Sequence, residues 1–162
     1  MNTTELCDKL GDKAPFLPPR LLNFGGRTCF SGEVVTVKCY EDSSATKEVI
    51  TCAGKGKVLV VDAGGSDRCA VFGDMSAQLM IDNGWEGVVI NGYLRDVQTI
   101  ASMELGVRAL GSVPRGSTKR GQGLLNVDIT IGSITCHPGD ILVADADGIV
   151  ILAPAFAKEL LA

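Results

Sequence analysis

Lys57-Val-Leu-Val-Val-Asp62, Gly87-Val-Val-Ile-Asn91 and Val107-Arg-Ala-Leu110 are three short apolar runs rich in β-branched residues. Their apolarity is nearly continuous rather than alternating, which marks strands covered on both faces, as in a parallel sheet. The segments between them carry helical patterns: Asp74 to Asn83 with Gly84 at its end, then Asp96 to about Glu104. Strand, helix, strand, helix, strand predicts an α/β domain with a parallel βαβαβ core and right-handed crossovers.

Working outward, Glu33 to Tyr40 reads as a strand and Ser44 to Ala53 as a short helix closed by Gly54. The first thirty residues give a short amphipathic helix, Thr4 to Leu10. Pro15, Pro18, Pro19 and Gly25-Gly26 follow and argue for an arm and loop without regular structure. Arg115 to Gly123 carries three glycines and three cations and is expected to be a mobile loop. Val127 to Ile131 and Ser133 to Cys136 flank a glycine turn, and Ile141 to Ala144 and Ile149 to Leu152 flank Asp145-Ala-Asp-Gly148. These form an antiparallel strand set, after which Pro154 opens a terminal helix. Residues 1–162 are therefore expected to be one domain, with 1–30 as its arm.

With 46% apolar and 21% charged residues, the 162-residue composition excludes bulk disorder. Nineteen acidic against fifteen basic residues give a net charge of -4, which argues against nucleic acid or an anionic lipid surface as partner. The N-terminus has no leader pattern and no apolar run approaches a membrane span, so an unprocessed, soluble, cytoplasmic protein is expected. The six cysteines include no C-x-x-C and His137 is the single histidine, which argues against structural zinc and for buried, reduced thiols.

In a right-handed βαβ sheet, ligands collect at the carboxyl ends of the strands, where loops and helix N-termini converge. Two loops meet this condition here: 62–73, which delivers the helix starting at Asp74, and Asn91 to Asp96. Gly73 to Ser76 and Arg95-Asp96 should therefore be neighbours. The first amides of the helix (Asp74, Met75, Ser76) are natural donors to a carboxylate or phosphate, and Gly73 permits close approach. Asp96 beside Arg95 suits a hard cation and a polarised ligand oxygen. A surface Arg-Asp pair at a helix start satisfies the same spacing. Neither a P-loop nor a G-x-G-x-x-G fingerprint is present.

Asp74, twenty intervening residues and Arg95-Asp96 resemble the D/E-x20-R-D motif of the family containing the regulator of ribonuclease E activity A and the 4-hydroxy-4-methyl-2-oxoglutarate aldolases. The resemblance extends through Asn23 to Arg27, Phe30 to Lys38, Val58 to Asp62, Gly64 to Arg68, Trp85 to Gly92, Gly106 to Leu110 and Asp145 to Gly148. It implies a swivelling β/β/α fold and a homotrimer with sites between neighbours. It also implies a Mg²⁺- or Mn²⁺-dependent (class II) aldolase that cleaves 4-hydroxy-4-methyl-2-oxoglutarate to two pyruvates and decarboxylates oxaloacetate. On the same resemblance, Asp96 is the metal ligand through a water-rich shell and Arg95 contacts the substrate's oxo oxygen. Gly73, Asp74, Met75 and Ser76 would then hold the pyruvyl carboxylate. The longer aldolases contribute an acidic residue from a C-terminal extension, for which this sequence offers no counterpart. The alternative the resemblance implies is a non-catalytic, ribonuclease-binding regulator; retention of Asp96 favours the enzyme. As a partly solvated loop carboxylate, Asp96 is expected to matter little for stability.

Other candidates are weaker. Lys38 alternates with Val35 and Val37 and is expected to face outward rather than form a Schiff base. His137 lies in a turn, Asp145 and Asp147 lie in a hairpin turn, and Cys69 has no histidine near it in sequence. Arg115, Lys119 and Arg120 read as a solvated loop, with closure over a site or an anionic partner as the alternative.

Overall fold

The computed structural model describes residues 1–160. Its parallel core is one strand larger than the βαβαβ reading. β2 (Phe30–Lys38), β3 (Lys57–Asp62), β4 (Gly87–Leu94) and β5 (Gly106–Ser112) all run parallel, each beside the next. α2 (Ser44–Ile50), α3 (Asp74–Asp82) and the single turn α4 (Val97–Ile100) make the crossovers. Antiparallel additions extend both edges: β1 (Leu22–Asn23) on β5, and β9 (Ile141–Ala144) then β10 (Ile149–Leu152) on β2, with β6 (Leu124–Leu125) also pairing β2. A separate hairpin joins β7 (Ile129–Ile131) and β8 (Ile134–Cys136). The mixed α/β architecture expected from the sequence is thus present.

Two apolar layers explain the continuous valine runs. Leu59, Val61, Val88 and Ile90 pack with Ala77, Met80 and Ile100 on the helical side, while Val58, Val60 and Val89 pack with Ile129, Ile131 and Leu142 on the other. All six core strand valines and isoleucines named at 58, 60, 61, 88, 89 and 90 are fully buried, each worth about 1.5–3 kcal/mol against exposure. On a third patch, α1 (Thr3–Leu10) packs with α5 (Pro154–Leu160) through Leu6, Ala157 and Leu152. Asn2 caps α1 in a reciprocal box with Glu5.

The arm departs from its reading as irregular and unsupported. Leu17 N–H donates to Ile149 O at 2.9 Å and Ile151 N–H to Pro15 O at 3.0 Å, while Phe24 N–H reaches Val107 O at 2.9 Å. Backbone pairing, which proline and glycine interrupt but do not abolish, lays this segment along two sheet edges. α4 ends at Ile100 rather than near Glu104, because Gly26 N–H and Leu105 N–H both take the Met103 carbonyl, at 2.9 and 2.8 Å. The helix at 44 ends at Ile50, and β4 runs on to Leu94. No helix among the described residues is long and apolar enough to cross a membrane.

Candidate functional site

The carboxyl end of β4 places Arg95 and Asp96, and the loop after β3 returns alongside it before entering α3. The two segments pair: Val71 N–H donates to Tyr93 O and Arg95 N–H to Phe72 O, each at 3.0 Å, and Phe72 and Leu94 form a parallel bridge. The expected meeting of Gly73 to Ser76 with Arg95-Asp96 is therefore made by main-chain bonds.

Asp96 holds the left-handed conformation, φ 63° and ψ 35°, which aspartate tolerates better than most residues and which concentrates at functional sites. That turn aims its carboxylate at the start of α3, where Asp74 N–H donates to Asp96 Oδ2 at 3.1 Å. The helix has no cap of its own, since its N-cap is Gly73. Gly73 is extended, so its lack of a side chain matters for space alone: a Cβ there would lie 2.6 Å from Asp96 Oδ2. The Asp96 carboxylate is thus part of the local build, contrary to its reading as a dispensable loop group.

Arg95 lies on Gly116, where a Cβ would sit 3.0 Å from three guanidinium atoms. Its Nη1 is 3.5 Å from Pro114 O, long for a hydrogen bond, which leaves its donors for a ligand. Asp74 is half-buried and its carboxylate takes no side-chain bond among the described residues; Ser76 is buried and Met75 is 81% exposed.

These groups border a cavity of about 210 Å³ that also collects Ser43, Lys47, Ser117 and Lys119. Lys47 and Ser43 escaped the sequence reading. They follow β2, whose membership of the parallel set would have brought its carboxyl-end loop to the same edge. The Lys119 ammonium beside Lys47, partial burial and the Arg95 charge hold the Lys47 ammonium below the ordinary lysine range. Three cations and the amino end of α3 thus face two carboxylates, an arrangement that receives an anion with more than one acidic group.

The 115–123 loop is tied down rather than loose. Buried Asp42 accepts from Ser44 N–H (2.9 Å) and Arg120 N–H, Gly121 N–H donates to Ser44 Oγ (2.9 Å), and Ala70 N–H donates to Arg115 O (2.7 Å). Lys119 alone of its three candidate cations borders the cavity; Arg115 and Arg120 line an adjoining one with Arg68 and Cys69.

The remaining candidates do other work. Lys38 is exposed. His137 pairs with Asp128 at 2.9 Å. Asp145 accepts from Thr3 N–H and Oγ1–H, both at 2.7 Å, and from Asp147 N–H at 3.0 Å, holding the hairpin and the first turn of α1. Cys69 is buried and its thiol is pushed up by burial and the Glu41 charge. Among the described residues no three acidic, histidine or cysteine side chains converge as a ready metal cage. A hard cation that retains most of its water, as Mg²⁺ does, needs only a carboxylate such as the exposed Asp96.

The fold and site together define an α/β protein whose parallel-strand ends hold an Arg-Asp pair against a helix start. The sequence matches the model of the RraA-like family (Aldolase/RraA) over residues 3–151, and the chain belongs to that family. A Pseudomonas fluorescens (strain Pf0-1) protein named "Putative 4-hydroxy-4-methyl-2-oxoglutarate aldolase" is 52% identical over 92% of this chain and 91% of its own. The solved RNA-processing inhibitor RraA from Thermus thermophilis superposes with a TM-score of 0.90 at 37% identity, covering 94% of this chain and 92% of that one. A Geobacillus kaustophilus structure described as S-adenosylmethionine: 2-dimethylmenaquinone methyltransferase gives a TM-score of 0.91 at 38% identity, covering 94% of each chain.

Proposed function

We propose that the protein is a divalent-metal-dependent aldolase that cleaves 4-hydroxy-4-methyl-2-oxoglutarate to two pyruvates and also decarboxylates oxaloacetate. The observation that carries this reading is the Arg95-Asp96 pair set against the amino end of α3, where Asp96 takes the Asp74 N–H, in a cavity walled by Lys47 and Lys119. The aldolase name of the 52% identical relative supports it.

In this reading the substrate's C1 carboxylate takes the free amides of Met75 and Ser76, and Arg95 donates to the 2-oxo oxygen. Lys47 and Lys119 receive the distal carboxylate. Cleavage breaks C3–C4: the C4 hydroxyl loses its proton and becomes the carbonyl of one pyruvate, while the bonding pair moves to C3. Protonation of C3 completes the second pyruvate, so protons balance. Arg95 acts where charge grows, on the enolate oxygen, which is why its guanidinium must be free of protein acceptors. Asp96, with Asp74 close by, would hold Mg²⁺ or Mn²⁺, which supplies Lewis-acid stabilisation of the same oxygen. Oxaloacetate loses carbon dioxide to leave the same enolate, so one site serves both reactions.

We propose further that the working unit is a cytoplasmic homotrimer whose neighbours complete the site. The arm gives no support for this, being ordered on its own chain. Support comes from Met75 and Val97, exposed apolar side chains flanking Asp74 and Asp96. A second reading, a ribonuclease-binding regulator, rests on the RNA-processing inhibitor of similar fold. The deciding experiment is pyruvate release from both substrates with Mg²⁺, with Mn²⁺ and with chelator. Metal-stimulated, chelator-sensitive release supports the enzyme; none, with ribonuclease inhibition instead, supports the regulator.

A further inference from the structure

Arg108 lies on β5, in register with Val89 and with Asn23 of β1, on the sheet face opposite the crossover helices. Only 6% exposed, it is the one arginine among the buried described residues. Its Nη2 donates to the carbonyls of Thr28 (3.3 Å) and Asp145, and its buried Nε has no partner. No carboxylate among the described residues pairs with it. Asp145, whose charge is nearby, commits its oxygens to Thr3 and Asp147. A buried cation whose hydrogen bonds go only to carbonyl oxygens, with one donor left over, is costly and leaves room for an anion.

Arg108 borders a cavity of about 580 Å³ whose apolar lining includes Phe16, Leu17, Leu21, Leu22 and Ile149. That volume suits a small organic molecule. Two exposed carboxylates, Asp8 and Asp147, also border it, so a ligand with a second negative charge is opposed there. None of these residues borders the Arg95-Asp96 cavity.

We propose that this cavity is a second binding site, for a small amphipathic monocarboxylate with its head at Arg108 and its apolar tail against the arm. The carboxylate neutralises the buried guanidinium, and the tail covers Leu22 and Phe16, which are 53% and 60% exposed. Being a monoanion with a tail separates this ligand from the short, doubly charged acids proposed for the other site.

Isothermal titration of the full-length protein in its native assembly tests this with octanoate, 1-octanol and octanedioate as probes. Octanoate should bind at least about tenfold more tightly than either the neutral alcohol or the diacid. Arg108→Met and Leu22→Glu should each weaken octanoate by about tenfold or more. Leu22 is an exposed edge position, so its variant decides the matter if Arg108→Met does not fold. Octanol or octanedioate equalling octanoate, octanoate binding unchanged in Leu22→Glu, or no octanoate binding at millimolar concentration would each overturn the proposal. The last result would include a cavity closed by a second copy of the chain.

Discussion

Gly73 and Asp96 are built against each other: the carboxylate Oδ2 occupies the space in which a Cβ on residue 73 would lie, at 2.6 Å. Because Gly73 is extended, Gly73→Ala strains no dihedral and acts only through this contact. It should push Asp96 off the amino end of α3 and lower metal-stimulated pyruvate release by about 10²-fold, the scale of losing one electrostatic stabiliser. Losing that cap should lower the melting temperature by a few degrees, about 1 kcal/mol, without unfolding the chain. Activity equal to the unmodified protein would detach Asp96 from the chemistry.

Asp96→Asn and Asp96→Ala separate charge from conformation. Asparagine tolerates the left-handed backbone and can still accept from Asp74 N–H, so stability should hold while metal-dependent turnover falls by about 10²–10³-fold. Alanine loses both the cap and the tolerance and should cost about 1–2 kcal/mol in addition, read from chemical denaturation. A chelator-insensitive, fully active Asp96→Asn enzyme would remove the metal from this site.

Arg95→Lys retains charge but not the planar donor set, and it loses contact with the flat surface over Gly116. Turnover should fall more than metal affinity does, whereas Lys47→Met should act chiefly on KM, by about tenfold, through the distal carboxylate. Equal losses of turnover and metal affinity in Arg95→Lys would make Arg95 a prop for Asp96.

The six thiols should divide by burial. Cys29 and Cys52 are exposed and Cys7 is half-buried, whereas Cys39, Cys69 and Cys136 are buried; burial and neighbouring carboxylates push Cys39 and Cys136 up to about 12. A thiol reagent at neutral pH should label Cys29 and Cys52 rapidly, Cys7 more slowly and the rest only on unfolding.

The bond to Asp128 and its charge raise His137 above the usual histidine value. A group whose folded value is raised stabilises the fold fully below its unfolded value, near 6.5, and loses that contribution as pH climbs through the folded value. Proton NMR titration should show the raised midpoint, returned towards 6.5 by Asp128→Asn.

The parallel strands were legible because burial on both faces leaves a continuous run of valine and isoleucine that little else produces. The Gly73, Asp74, Arg95 and Asp96 grouping was legible because topology alone brings successive loops to one edge. The arm was not, since its pairing uses backbone groups at Pro15, Leu17 and Phe24 that carry no periodic side-chain signal. Lys47 and Ser43 were invisible for another reason: nothing in 30–38 says that this strand lies parallel to its neighbour, and only that fact carries them to the site. The left-handed turn at Asp96, which costs α4 its expected first residue, has no sequence mark beyond the aspartate itself.

The bonds from Val71 to Tyr93 and from Arg95 to Phe72 make the two site loops a continuation of the sheet's own ladder. Length in either loop is therefore locked to register: one added residue between Cys69 and Gly73 slides α3 past Asp96 by a whole step instead of bulging into solvent. On the aldolase reading, substrate range is tuned from the 115–123 segment, which brings Lys119 to the cavity and joins the 62–73 loop through the single Ala70–Gly116 bridge. On that reading the chemistry is inherited with the sheet, and selectivity is carried by the strap across it.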